Sequence, residues 1–397
     1  MKFSSKIKKC ELSPILKFEP LQAKAEAEGK TIYHLNIGQP DIETPDVYFK
    51  ALRSFESPVL EYGPSTGIPK LRKSVKDYFA RINASIDEED VLVTDGGSEA
   101  LQIIMSCILE DGDEIIIPEP FYSNYSSFIN ITGASIKPIP TSASENYHYA
   151  DRARIESCIT ENTRAMMITN PGNPTGAVLT PDELKLVLDV CKDNDLFLIA
   201  DEVYREFVYD GQDLISILQY EGYDENSIVI DSISKRFSAC GARIGFLITK
   251  NKALMSEAMK LAQGRLCCPT IDQIAASELY ELDPSYFDPI RKEYTKRRQI
   301  LVDGLDKIPG IIRSDPEGAF YIMACLPVDD ADKFQTWLLS EYDNNGDTVM
   351  FSPAENFYGT PGKGINEVRL AYVTNEQKLA RSMEILKDAI EVYNSRN

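Results

Sequence analysis

A chain of 397 residues, 43% of them hydrophobic, can bury a sizeable core but is long for a single one. That points to one large domain with a smaller one and excludes disorder as the dominant state. Its 42 Lys and Arg against 62 Asp and Glu leave a net charge of −20, which would repel a nucleic-acid backbone or an anionic membrane surface.

The first 44 or so residues show no strand–helix repeat and are expected to pack onto the smaller domain. From about residue 90 to 250 short apolar runs alternate with helical patterns. VLVT (91–94) precedes SEALQIIMSCIL, EIII (114–117) precedes YSNYSSFINI, and AMMIT (165–169) precedes PDELKLVLDVC. LFLIA (196–200), SIVI (227–230) and IGFLIT (244–249) come next along the chain. This alternation predicts a mostly parallel, seven-stranded sheet between helices in an α/β large domain over 45–290. A charged helical stretch around 251–305 leads into the hairpin-like AFYIMACLP and EVRLAYV and the helical DKFQTWLLSEY and EQKLARSMEILKDAIEVY. These pieces predict a smaller α+β domain made of 1–44 and 291–397.

No apolar run nears the roughly 18 residues of a membrane span. The opening MKFSSKIKKC lacks the apolar centre of a secretory leader, so a cytoplasmic location is expected. The eight cysteines include no CxxC pair and read as reduced, mostly buried thiols with no zinc site. The two histidines, His34 and His148, read as structural residues, His148 in an exposed loop. Acid–base chemistry near neutral pH must then rest on a tuned Lys, Tyr or carboxylate, or on a cofactor.

Ligands of open parallel sheets bind beyond the carboxyl ends of the strands, and there the unusual residues collect. Asp95-Gly96-Gly97-Ser98 follows VLVT, Asn170 to Gly176 follows AMMIT, Asp201 to Tyr204 follows LFLIA, and Asp231 to Lys235 follows SIVI. The Gly-Gly-Ser turn opening a helix suits an anion, and equally a plain turn with a serine cap. Asp201 needs a cation or several donors if buried, unless it simply caps a helix. Lys235, among small residues and near Arg243, suits a Schiff-base nucleophile. One ligand accounts for the whole set: pyridoxal 5′-phosphate, with the acid on its ring nitrogen, the amide and phenol on its ring oxygen, the glycine turn and arginine on its phosphate, and the lysine on its aldehyde.

The motifs NIGQPD (36–41), YGPSTGIPKLR (62–72), DGGSEAL (95–101), EPFYSNY (119–125), NPGNPTG (170–176), DEVY (201–204), SISKRFSACGARIG (232–245) and NEVRLAY (366–372) stand in order along the chain. Together they resemble the class I/II aminotransferases of the fold-type I pyridoxal-phosphate superfamily over nearly the whole length. The resemblance implies that Lys235 is the Schiff-base lysine and the base at the substrate Cα, and that Asp201 pairs with the pyridinium nitrogen. It implies that Asn173 and Tyr204 bond the ring oxygen and that Tyr122 stacks on the ring, where an ordinary core aromatic would also fit. Gly97, Ser98, Ser232 and Arg243 would take the phosphate, with Tyr62 supplied by the second subunit of a homodimer with shared active sites. Arg369 and the Gly38 backbone would grip the substrate carboxylate, although Arg369 alone would also read as a surface residue on an alternating strand.

The activity implied is ping-pong transfer of an amino group from an amino acid to a 2-oxo acid such as 2-oxoglutarate, in amino-acid metabolism. Aspartate is the first donor considered, with alanine or an aromatic amino acid next. Ser98 stands where some aspartate-using relatives carry a lysine, so Arg265 or Lys363 is a candidate cation for a distal carboxylate. Ser13-Pro14 and Phe357-Tyr358-Gly359 are expected to border the substrate. The alternatives are a cysteine-S-conjugate β-lyase on the same scaffold and a non-catalytic cofactor-binding regulator, the latter disfavoured by the lack of a basic patch.

Overall fold

The computed structural model describes residues 2–10, 16–212 and 215–396. At its centre is a seven-stranded sheet, in spatial order Val91–Asp95, Ile244–Ile248, Ser227–Ser232, Phe197–Asp201, Thr163–Thr169, Glu114–Pro118 and Ser135–Ile139. Neighbours pair in parallel except at Ile244–Ile248, which runs against both of its partners. The inner strands are continuous Val, Ile, Leu and Met runs because both faces are covered by helices. Met166, Ile168, Leu198 and Val229 face one buried cluster, and Met167, Ile199, Ile228 and Ile230 face the other.

The edge strand Ser135–Ile139 was not among the predicted runs. It carries Lys137 and Pro138, which break the apolar signal and suit an edge, where one side of the strand is unpaired. The charged stretch after 251 is three helices, Lys252–Arg265, Thr270–Tyr280 and Phe287–Leu305. The first ends at Leu266, whose φ of 80° no helix tolerates.

Among the described residues two smaller sheets complete the architecture. Ser352–Pro353, Glu367–Ala371, Tyr321–Cys325 and Ile312–Arg313 form an antiparallel sheet, and Thr31–His34 pairs in parallel with Asp347–Met350. The N-terminal region therefore holds a helix, Glu19–Ala27, and a strand that docks on the chain's last third.

His148 differs from its expected exposure. It is half-buried between Glu183 and Glu317, with ring nitrogens 3.2 Å and 3.6 Å from their carboxylates, and the two acids hold its pKa above the ordinary value. All eight cysteines are free thiols as expected, but only Cys158, Cys191 and Cys268 are buried and the other five are half-buried.

Candidate active site

Sheet direction decides which residues meet. Because Ile244–Ile248 runs against its neighbours, Arg243 at its start arrives at the rim where Val91–Asp95, Ser227–Ser232, Phe197–Asp201 and Thr163–Thr169 end. A cavity of about 250 Å³ opens there, lined by Gly38, Gly97, Ser98, Tyr122, Asn173, Asp201, Tyr204, Ser232, Lys235, Arg243 and Arg369. Of the twelve residues singled out from sequence only Tyr62 lies elsewhere, 81% exposed on the surface of this chain.

At one end the helix Gly96–Ile108 points its N-terminus at the cavity. Its first N–H groups have no partner within the helix, and the macrodipole favours an anion there. Gly96 has φ +69°, and a Cβ on it would strike the Arg243 guanidinium; a Cβ on Gly245 would strike the backbone of Gly96 and Gly97. Arg243 itself sits in the left-handed region, with φ 54°, and donates to the carbonyl oxygens of Cys240 (3.0 Å) and Asp95 (3.3 Å). Ser232 lines the cavity, yet its hydroxyl is committed. The oxygen accepts from the Ser234 N–H (3.1 Å), capping the short helix Ile233–Arg236, and the hydroxyl donates to the Ile244 carbonyl (2.9 Å).

Lys235, on that short helix, donates from Nζ to the Gly38 carbonyl oxygen at 2.9 Å. Gly38 must be glycine, since a Cβ would enter the Tyr321 ring. Asp201 closes its strand rather than capping a helix, and only 7% of it is exposed. Burial raises its carboxyl to about 6, against the lowering effect of a 2.6 Å hydrogen bond from the Tyr125 hydroxyl and a 3.3 Å bond from the Val203 N–H.

Arg369 lies on the inner strand Glu367–Ala371 and is 1% exposed, not a surface residue. Its Nη1 donates to Asn173 Oδ1 (3.1 Å) and its Nη2 to the Asn36 carbonyl (2.8 Å). Neither acceptor is a carboxylate, and Nε is buried with no partner among the described residues. The rings of Tyr321 and Phe357 flank the guanidinium, with centroids 4.5 Å and 5.3 Å away. Asn173 Nδ2 lies 3.4 Å from the Tyr204 hydroxyl, which is 2.9 Å from that of Tyr321. Tyr122 receives a hydrogen bond from Asn124 Nδ2 at 2.7 Å.

A family model, that of aminotransferase class I and II, matches residues 30–346. The chain belongs to that family. This aminotransferase is 31% identical to the aspartate aminotransferase of Pyrococcus horikoshii, with 91% of each chain covered, and 30% identical to aromatic-amino-acid aminotransferase 2 of Thermococcus litoralis, with 91% of this chain and 92% of the relative covered. Among solved structures it superposes on alanine aminotransferase from Pyrococcus furiosus with a TM-score of 0.90 at 28% identity, covering 98% of this chain and all of the other. A mutant Thermus thermophilus aspartate aminotransferase gives 0.89 at 26% identity over the same shares. The protein is thus an aminotransferase of the α/β fold expected from its strand–helix alternation.

Other expectations need correction. Neither Arg265 nor Lys363 lines the cavity of the aminotransferase. Arg265 is held by Glu99 (2.9 Å) and donates to the Val93 carbonyl (3.0 Å), so its charge is already neutralised, and Lys363 is exposed. Phe357 packs on Arg369, but Tyr358 and Gly359 line a separate polar cavity, and the Tyr358 hydroxyl donates to Glu367 (2.6 Å). Ser13-Pro14 lies outside the described residues. Two tyrosines were overlooked: Tyr125, which bonds Asp201, and Tyr321, which lines the cavity. Both lay inside segments already singled out, the first three residues from Tyr122 and the second in an apolar strand, where an aromatic reads as core.

Proposed function

We propose that this aminotransferase works with pyridoxal 5′-phosphate in the cavity at the strand ends, moving an amino group from an amino acid to a 2-oxo acid. The observation that carries this reading is the meeting, in one cavity, of a lysine amine, a buried carboxylate and a glycine-built anion cradle. The chemistry of these donors fits the cofactor. The helix N-terminus and Arg243 match a phosphate, Asp201 a protonated ring nitrogen, and Tyr204 with Asn173 a phenolic oxygen. When bound, the cofactor supplies an aldehyde that captures amines and a ring that withdraws electrons from the carbon beside them.

The protein's own groups do the rest. Lys235 Nζ, which donates to the Gly38 carbonyl at 2.9 Å, is the amine that would hold the cofactor's aldehyde, and it would be the base that takes the proton from the substrate Cα. Arg369, whose Nε has no partner and whose other nitrogens meet no carboxylate among the described residues, grips the substrate α-carboxylate, and the Gly38 backbone lines the same cavity. Tyr122, which lines the cavity, would cover the ring. Ser98 and Gly97 offer donors to the phosphate, with Ser232 shaping the helix cap.

Tyr62 is assigned to the neighbouring active site of a homodimer. In support, Val59, Leu60, Tyr62 and Leu266 are exposed, and the Glu61 carbonyl accepts from Thr270, so segment 59–62 lies beside 266–270. We also assign the protein to the cytoplasm and its fold to a large domain over 45–290 with a small one from 1–44 and 291–397. The strands of the largest sheet fall within 91–248 and those of the smaller sheets within 31–34 and 312–371.

Aspartate with 2-oxoglutarate is the first substrate pair, supported by the names of several relatives. Purified protein loaded with the cofactor is assayed against a panel of amino donors with 2-oxoglutarate. Fastest turnover of aspartate supports the assignment, and fastest turnover of alanine or an aromatic donor replaces it. Release of pyruvate and ammonia from cystathionine without any acceptor points to the β-lyase instead.

A further inference from the structure

Asp201 is deep enough in the protein that its charge cannot be taken for granted. Its strand is the middle one of the seven, among apolar neighbours, and the buried Asp231 on the adjacent strand repels its negative charge. Lys235 attracts it from the helix that follows Asp231, while Tyr122 and Tyr204 face the site as neutral phenols. Among the described residues one neutral side-chain donor addresses it at short range: the Tyr125 hydroxyl, 2.6 Å from Oδ2, in the helix Asn124–Asn130. The same hydroxyl lies 2.9 Å from Thr169 Oγ1, at the end of the strand paired with that of Asp201. Tyr125 is 1% exposed, which shields its proton from bulk water.

A phenol has one proton to give. When that proton points at Asp201, the Thr169 hydroxyl must be the donor to the Tyr125 oxygen, and the three groups form a directed chain from threonine through tyrosine to carboxylate. Each hydrogen bond in such a chain polarises the next. Oδ2 then carries the short bond, and Oδ1, whose one partner among the described residues is the Val203 N–H at 3.3 Å, is the freer of the two oxygens for the cavity.

We propose that Tyr125, backed by Thr169, is a positioning residue that keeps Asp201 ionised and turns Oδ1 toward the ring nitrogen of the cofactor. The inference rests on the pyridoxal-phosphate reading above and adds to it the pair that sets the state of the acid. Without the phenol, the carboxylate gains proton affinity, and the proton shared with a ring nitrogen moves toward Asp201. Cofactor affinity and electron withdrawal both fall, whereas contacts with the substrate do not change.

The test compares wild type, Tyr125→Phe and Thr169→Val, each first stripped of cofactor. Three quantities are read: the melting temperature of the stripped protein, the cofactor dissociation constant from pH 5 to 9, and kcat and KM for the best donor. Loss of a hydrogen bond to a charged group predicts about tenfold or more weaker cofactor binding in Tyr125→Phe at pH 7.5. The acid-side fall in affinity should also move to higher pH, and kcat should drop with KM unchanged. Thr169→Val, which keeps the phenol, is expected to shift the same profile in the same direction by a smaller factor.

An unchanged pH profile and dissociation constant in Tyr125→Phe overturn the proposal. If that variant does not fold, Thr169→Val decides: a shifted profile supports the chain and an unshifted one refutes it. Wild type that binds no cofactor sinks the functional reading as well, whereas wild type that binds and turns over beside an unaffected Tyr125→Phe sinks only this inference.

Discussion

Removing the Arg369 guanidinium should cost this enzyme its hold on the substrate carboxylate, and the structure sets the size of the loss. The group is 1% exposed, held between two aromatic rings, and two of its nitrogens are already occupied by an amide and a carbonyl oxygen. Truncating one partner of a buried, hydrogen-bonded charge pair costs about 2–5 kcal/mol. Because Nη1 and Nη2 are engaged before substrate arrives, a figure near the lower end, about 3 kcal/mol, is expected, or about 10²-fold in kcat/KM. The assay is steady-state kinetics of wild type, Arg369→Ala and Arg369→Lys with the best donor and with the amide of that donor, which has no carboxylate. Arg369→Ala should lose about two decades on the amino acid and far less on the amide, and Arg369→Lys should fall between, since it keeps the charge but not the fork. Equal losses on acid and amide would mark a packing defect, and unchanged kcat/KM for every amino acid would refute the carboxylate role outright.

Lys235→Ala should lower kcat by about 10⁴-fold or more and abolish cofactor fixable by borohydride, read by absorbance after denaturation; an adduct that persists places the nucleophile elsewhere. Asp201→Asn should separate stability from activity. With its carboxyl raised to about 6 by burial, the ionised acid opposes folding above that pH, a penalty that disappears as pH falls toward the ordinary 3.8. The interval corresponds to on the order of 3 kcal/mol, so the cofactor-free variant should melt higher than wild type at pH 7.5 and no higher at pH 4, while losing transaminase activity. His148 works in the opposite sense. Its pKa is raised by Glu317 and Glu183, so its stabilising charge is complete below about 6.5 and is lost as pH rises through the raised value. Denaturant unfolding should show wild type exceeding His148→Gln by up to about 1 kcal/mol at pH 6, with the gap closing by pH 9.

The order of elements and the chemistry of the rim were legible in the residues themselves. A strand buried on both faces must be continuously apolar, so Thr163–Thr169 and Ser227–Ser232 announce themselves, and the polar residues after each of them stand out against that background. Lys235, Asp201 and the Gly96-Gly97 turn were found in this way because a charge or a glycine at the end of such a run has a cost that only a ligand or partner offsets. The edge strand Ser135–Ile139 was hidden because an edge tolerates Lys and Pro, whereas the breaks within 251–305 carry a signal of their own in Pro269 and Pro284, each standing where a new helical segment begins.

Partner choice was beyond the sequence. Nothing local states that Arg265 spends its charge on Glu99, that His148 lies between two glutamates contributed by distant segments, or that Ser232 caps its own helix instead of leaving its hydroxyl free. Nor does it state that Tyr125 reaches Asp201 across 76 positions of chain. Residue type fixes what a side chain can do; which of its possible partners it meets is set by strand order and direction, since these bring together groups that the chain itself keeps far apart.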